Sequence, residues 1–109
     1  MPKYEVRITE GALGDLDAIR SSIAVHRGED SADEWMAGIH DIIDLLEQFP
    51  ERGSVPPPLL ALGIDTFRQL PMLPFRIVYE VSGTKVFVVL IAHTKRDFQS
   101  LLRERMLRP

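Results

Sequence analysis

A chain of 109 residues, 45% hydrophobic and 27% charged, has the composition of one ordinary globular domain, long enough to bury a core without metal or disulfide staples. The absence of cysteine excludes a disulfide framework, a thiolate zinc site and a cysteine nucleophile, and it fits a reducing compartment. The formal charge of −3 excludes the overall excess of Lys and Arg that proteins gripping phosphate usually carry, so any hold on nucleic acid needs basic residues gathered on one face.

The opening residues, Met1-Pro2-Lys3-Tyr4-Glu5, show neither a hydrophobic signal core nor a small-residue cleavage site. The longest strongly apolar stretch, Val86 to Ala92, is far shorter than the roughly 20 residues of a membrane span, so a cytoplasmic protein with no membrane partner is expected. From Tyr4 to Thr9 apolar and polar residues alternate, which predicts a short strand with one face buried. Thr9 is then a plausible N-cap for an amphipathic helix carrying Ala12, Leu13, Leu16, Ile19 and Ile23, with Gly28 as its stop. Ser31-Ala32-Asp33-Glu34 matches a capping box and predicts that a second helix starts there. Its apolar stripe runs through Trp35, Met36, Ile39, Ile42, Ile43, Leu46 and Phe49 to a stop at Pro50. Both helices are apolar on one side only, so a sheet or a partner must cover them, and the width of the stripe predicts a groove for a partner.

Glu51 to Pro58 is proline-rich and reads as an ordered connector. Three strands are expected over roughly Thr66 to Leu70, Phe75 to Val81 and Thr84 to Ala92, followed by a closing helix. A two-residue turn at Ser82-Gly83 would pair Glu80 with Lys85. That register puts Arg76, Val78, Glu80, Lys85, Phe87, Val89, Ile91 and His93 on one face. Phe75, Ile77, Tyr79, Val81, Val86, Val88, Leu90 and Ala92 fall on the other, the expected seat of the helices.

The order strand, helix, helix, three strands, helix resembles the RelE/ParE superfamily of toxins. The strings that carry the likeness are Tyr4-Glu5-Val6-Arg7-Ile8-Thr9, Leu45 to Gly53 (LLEQFPERG), Phe67-Arg68-Gln69-Leu70, Phe75 to Val81 (FRIVYEV) and Ile91 to Phe98 (IAHTKRDF). The resemblance spans nearly the whole chain. It implies an α+β fold, β-α-α-β-β-β-α, with a four-stranded, mainly antiparallel sheet packed on two N-terminal helices, and a single toxin domain over residues 1–109. It also implies a toxin that arrests bacterial growth and is neutralised by a cognate antitoxin, with no cofactor and no metal.

Within that resemblance Arg76 matches an arginine that binds phosphate in the superfamily's ribosome-dependent nucleases, a role suited to the planar guanidinium fork. A salt bridge to a neighbouring carboxylate is the structural alternative for Arg76. Arg68 would share a face with Arg76 if the strands are joined by three residues, and would lie on the opposite face if they are joined by two. His93 is expected on the Arg76 face, about four residues farther along or roughly 13 Å, as a general acid or base, or else as a polar strand end. Lys95 and Arg96, before Asp97 at the start of the closing helix, are either phosphate ligands or a solvated charge run. Trp35 reads as core packing, with base stacking as the alternative. Leu102 stands where the nucleases resemble one another in having a tyrosine. ParE-like inhibition of DNA gyrase therefore fits best. A RelE-like mRNA endonuclease on translating ribosomes, using Arg76, His93 and Arg96 with Arg68 and Lys95, is the second reading. A weakly active homologue retained for complex formation or repression is the third.

Overall fold

The computed structural model describes residues 3–107. Met1, Pro2, Arg108 and Pro109, part of the expected domain, lie outside the described residues. The elements are β1 (Glu5–Ile8), α1 (Glu10–Arg27), α2 (Glu29–Leu45), α3 (Pro57–Leu60), β2 (Phe67–Met72), β3 (Phe75–Ser82), β4 (Lys85–His93) and α4 (Phe98–Leu107). They form an α+β fold with a four-stranded sheet in the order β1-β4-β3-β2, parallel only between β1 and β4.

Thr9 caps α1, its hydroxyl accepting from the Ala12 N–H at 3.3 Å. The stop at Gly28 is real, and it is also the start of α2. Gly28 takes φ +95°, open to glycine but strained for other residues, so the chain reverses in a single residue. The expected capping box at Ser31 is therefore not used, because the helix already begins at Glu29 and Ser31 lies inside its first turn. Arg20 of α1 reaches both Glu29 (2.9 Å) and Asp33 (2.7 Å) across the hairpin. At its other end α2 stops at Leu45 and unwinds through i→i−3 bonds from Leu46 and Glu47 well before Pro50, whose ring disfavours helical geometry in the residue ahead of it. That shortening leaves Phe49 outside the helix and 52% exposed.

The first core lies between the helical hairpin and one face of the sheet. Ala12, Leu16, Ile39, Ile43 and Leu46 pack there against Leu70, Ile77, Tyr79, Val86, Val88 and Ile91. Each fully buried Leu or Ile contributes about 1.5–3 kcal/mol of transfer free energy. A second core covers the opposite face, where Leu59, Phe98 and Leu102 lie over Phe67, Val78, Val89, Leu90 and Ala92. The sheet is buried on both sides, as the apolar strands require. Leu59 is delivered by α3, a turn of helix that begins inside the expected proline-rich connector. Pro57 and Pro58 fit its first turn because no backbone N–H is needed there.

Two details of the sheet correct the expected register. The β3–β4 turn is Gly83-Thr84, so Ser82 faces Lys85, and Glu80 faces Phe87 instead of Lys85. In this turn only Gly83 needs positive φ (+59°), whereas a Ser82-Gly83 turn of the favoured type would force a serine there too. Farther on, Val78 pairs with Leu90 and Tyr79 with Val88, leaving Val89 as a bulge. The extra residue reverses every later side chain of β4. Leu90 and Ala92 turn to the second core, and Ile91 and His93 turn to the helix side.

Candidate functional site

Arg76 is the centre of the site that the sequence suggests. It pairs with Ala92 on the face away from the helical hairpin, and its guanidinium lies 4.8 Å above the Phe98 ring. Nη1 donates to Gln69 Oε1 and Nη2 to the Thr94 carbonyl, both at 3.1 Å. The acceptors are neutral, and among the described residues no salt bridge reaches Arg76. Its buried Nε–H has no partner. The guanidinium borders a recess of about 260 Å³ formed with Ser54, Gln69, Pro71 and Thr94. This is an arginine held in place by neighbours that leave its charge uncompensated, an arrangement suited to an incoming carboxylate or phosphate.

The other expected site residues do not gather around it. The β2–β3 connection has two residues, Leu73 and Pro74, so Met72 pairs with Phe75 and Arg68 pairs with Tyr79 on the helix side. Arg68 donates there to the carbonyls of Gly53 (2.7 Å) and Glu51 (3.3 Å). His93 is nearer in register than expected, beside Ala92, but the bulge puts it on the other face, stacked edge-on to Phe75 at 5.6 Å. Its Nδ1 accepts from the Lys95 N–H at 3.1 Å. Lys95 and Arg96 are exposed in the turn after β4. The anion at the start of α4 is Asp97 itself, whose carboxylate accepts from the Ser100 hydroxyl (2.7 Å) and N–H (3.4 Å) and is held below its ordinary pKa by these bonds. Leu102 is buried in the second core, so no titratable group stands at its position.

Charge is divided along the chain in a way the total hides. Residues 1–50 carry four Lys and Arg against eleven Asp and Glu, whereas residues 51–109 carry nine against five. The helical hairpin is thus acidic, and the basic residues collect on the sheet and α4.

Two polar clusters that sequence reading missed hold this frame. Beyond Val88 the backbone of β4 outruns β1, and the freed groups at the bulge are taken by side chains. Asp15 accepts from the Ile91 N–H (2.9 Å), while Arg105 donates to the Val89 carbonyl (2.9 Å) and to both oxygens of Asp15 (2.8 and 2.9 Å). The hydrogen bonds that Arg105 donates to Asp15 raise the pKa of Arg105 despite partial burial. On the far side the Tyr79 hydroxyl accepts from the Gly53 N–H and donates to the Pro50 carbonyl, both at 2.8 Å. Burial pushes the Tyr79 phenol above its ordinary pKa, against the opposing pull of Gly53 N–H, Arg68 and Arg52. Gly53 is required by this approach, since a Cβ would lie 2.7 Å from both Tyr79 Oη and the Gln69 carbonyl.

Among the described residues no group of three metal-binding side chains occurs, and no helix is long and apolar enough to cross a membrane. No curated protein matches the chain. A solved structure described as the chromosomal ParDE TA system from P. aeruginosa superposes with a TM-score of 0.70 at 23% identity, over 85% of this chain and 98% of that one. The model of the ParE toxin of type II toxin–antitoxin systems, parDE, matches residues 6–98. By that match and by its fold, the chain belongs to the ParE toxin family of type II toxin–antitoxin systems.

Proposed function

We propose that this toxin acts in the cytoplasm by binding a protein target, DNA gyrase, and that it does not act by cutting RNA. The observation that carries the reading is the separation of the nuclease candidates by the sheet: Arg76 lies on one face, His93 and Arg68 lie on the other, and apolar Leu102 is buried where the nucleases resemble one another in having a tyrosine. General acid–base catalysis needs its groups within hydrogen-bond reach of one reacting centre, and this arrangement does not bring them together. A protein target asks less of the site. The uncompensated Arg76, with exposed Lys95 and Arg96 on the adjoining turn, supplies cationic contacts for acidic groups on gyrase.

The test is growth arrest on induction, with incorporation of labelled thymidine, uridine and methionine followed together. DNA synthesis failing first supports the proposal. Translation failing first, with codon-positioned cuts in mRNA, removes it in favour of the ribosome-dependent endonuclease. Undisturbed growth supports the third reading, a homologue retained for complex formation or repression.

A further inference from the structure

The walls of the Arg76 recess are fixed before anything enters it. On one side Ser54 is bridged to Gln69 in both directions, its N–H donating to the Gln69 carbonyl (3.1 Å) and its carbonyl accepting from the Gln69 N–H (2.8 Å). On the other side the Thr94 N–H donates to the Pro74 carbonyl at 2.8 Å. Leu70 and Pro71 add an apolar stretch of wall, and Pro71 has no N–H of its own. The guanidinium is held over the Phe98 ring while Gln69 and Thr94 accept from Nη1 and Nη2. Such a site loses little freedom when a ligand arrives.

The side-chain groups left over around the recess are donors. Each Nη uses one of its two N–H groups, so the second N–H of each nitrogen is spare, along with the buried Nε–H. Gln69 Oε1 is occupied by Arg76, which leaves the amide N–H groups as the free end of that side chain. The hydroxyls of Ser54 and Thr94 line the recess too, and neither makes a hydrogen bond among the described residues. No Asp or Glu lines the recess. One positive charge and several neutral donors therefore surround a space with no anion in it.

We infer that the recess is a pocket for a single carboxylate of the toxin's target, an Asp or Glu side chain, and that Gln69 sets its selectivity by orienting Arg76 and donating its amide N–H to the same carboxylate. The inference rests on the reading that Arg76 contacts a protein target. The planar fork of an arginine matches a planar carboxylate, and Leu70 and Pro71 receive the methylenes behind it. A nucleic-acid strand is a poor occupant. Proteins that hold a strand combine several phosphate contacts with an aromatic face on which a base stacks. Arg76 is the only cation lining the recess, and the Phe98 ring beside it is 7% exposed and already covered by the guanidinium. Lys95 and Arg96, exposed on the turn beyond Thr94, draw acidic surfaces toward the recess without lining it.

The experiment follows the side-chain N–H resonances of Gln69 and Arg76 in isotope-labelled toxin during titration with sodium acetate and, separately, sodium dimethyl phosphate, at constant ionic strength. Acetate stands for a protein carboxylate, and dimethyl phosphate for a nucleic-acid phosphodiester of the same charge. Acetate is expected to shift both resonances saturably, and dimethyl phosphate to bind more weakly. Gln69→Glu keeps an acceptor for Arg76 and supplies the recess with a carboxylate from within. It is expected to weaken acetate binding about tenfold or more, to leave the thermal melt at neutral pH unlowered and to weaken inhibition of gyrase supercoiling. No saturable shift with acetate, or dimethyl phosphate binding as tightly as acetate, overturns the carboxylate pocket. Unchanged acetate binding or unchanged gyrase inhibition by Gln69→Glu overturns it as well and leaves the gyrase reading standing. A lowered melting temperature assigns Gln69 to folding and overturns its part in selectivity. Wild-type toxin that binds acetate as expected and leaves supercoiling unaffected overturns the gyrase reading alone.

Discussion

Replacing Arg105 by methionine keeps most of the aliphatic volume and removes three hydrogen bonds, two to Asp15 and one to the Val89 carbonyl. The paired side chains are only 19% and 18% exposed, so little water is available to replace the lost partners. A mostly desolvated carboxylate and a strand carbonyl at the bulge are left short of donors, at a cost of about 2–4 kcal/mol. For a chain of this size that loss lowers the urea midpoint by roughly 2 M at a slope of about 1.5 kcal/mol per M. Trp35 emission and far-UV circular dichroism follow the transition. Asp15→Asn tests the same link from the other side, and the double variant should show a coupling of about 1–2 kcal/mol. Single variants within about 0.5 kcal/mol of wild type, or single losses that simply add, would refute the claim that this pair joins α1, β4 and α4.

Tyr79→Phe leaves the Gly53 N–H and the Pro50 carbonyl unpaired and is expected to destabilise the fold by about 2–4 kcal/mol, read from chemical denaturation. Because the folded-state pKa of Tyr79 is raised, wild-type stability is full below about pH 10 and falls as pH rises through the phenol's ionisation, a fall that Tyr79→Phe should reduce. Asp97 has the opposite sign. Its lowered folded pKa gives stability that is present above the ordinary carboxylate value and lost as pH falls below about 4, and Asp97→Ala should flatten that acid limb in thermal melts. Arg76→Ala is expected to reduce toxicity, read as recovered growth on induction, because it removes the guanidinium held by Gln69 and Thr94 at the recess.

The helices and the strand positions were legible because their apolar residues recur at clear periods. Thr9 and Gly28 gave their signals in the sequence and kept their roles in the fold. The register was not legible. Val86 to Ala92 is apolar at every position, so no polar residue marks which side chain faces which core, and a bulge at Val89 leaves no trace in such a run. The faces were assigned correctly up to Val89 and wrongly from Leu90 onward, and His93 moved with them. Gly83 marked the turn but not whether it comes first or second in it. The Asp15–Arg105 pair joins residues 90 apart, which no local pattern connects, and the only hint was a charged residue on each helix with no partner at helical spacing. Tyr79 was read as core from its alternation, and nothing at Gly53 signalled the hydroxyl above it. Arg76 was picked from family likeness, whereas its neutral partners, Gln69 and Thr94, became visible only in three dimensions.

We propose that this ParE-family toxin acts on DNA gyrase. The most direct test is supercoiling of relaxed plasmid by purified gyrase in the presence of excess toxin, with and without cognate antitoxin. The account predicts inhibition by toxin alone, relief by antitoxin and weaker inhibition by Arg76→Ala. Full supercoiling at saturating toxin, alongside cleavage of mRNA on translating ribosomes by the same preparation, would contradict it.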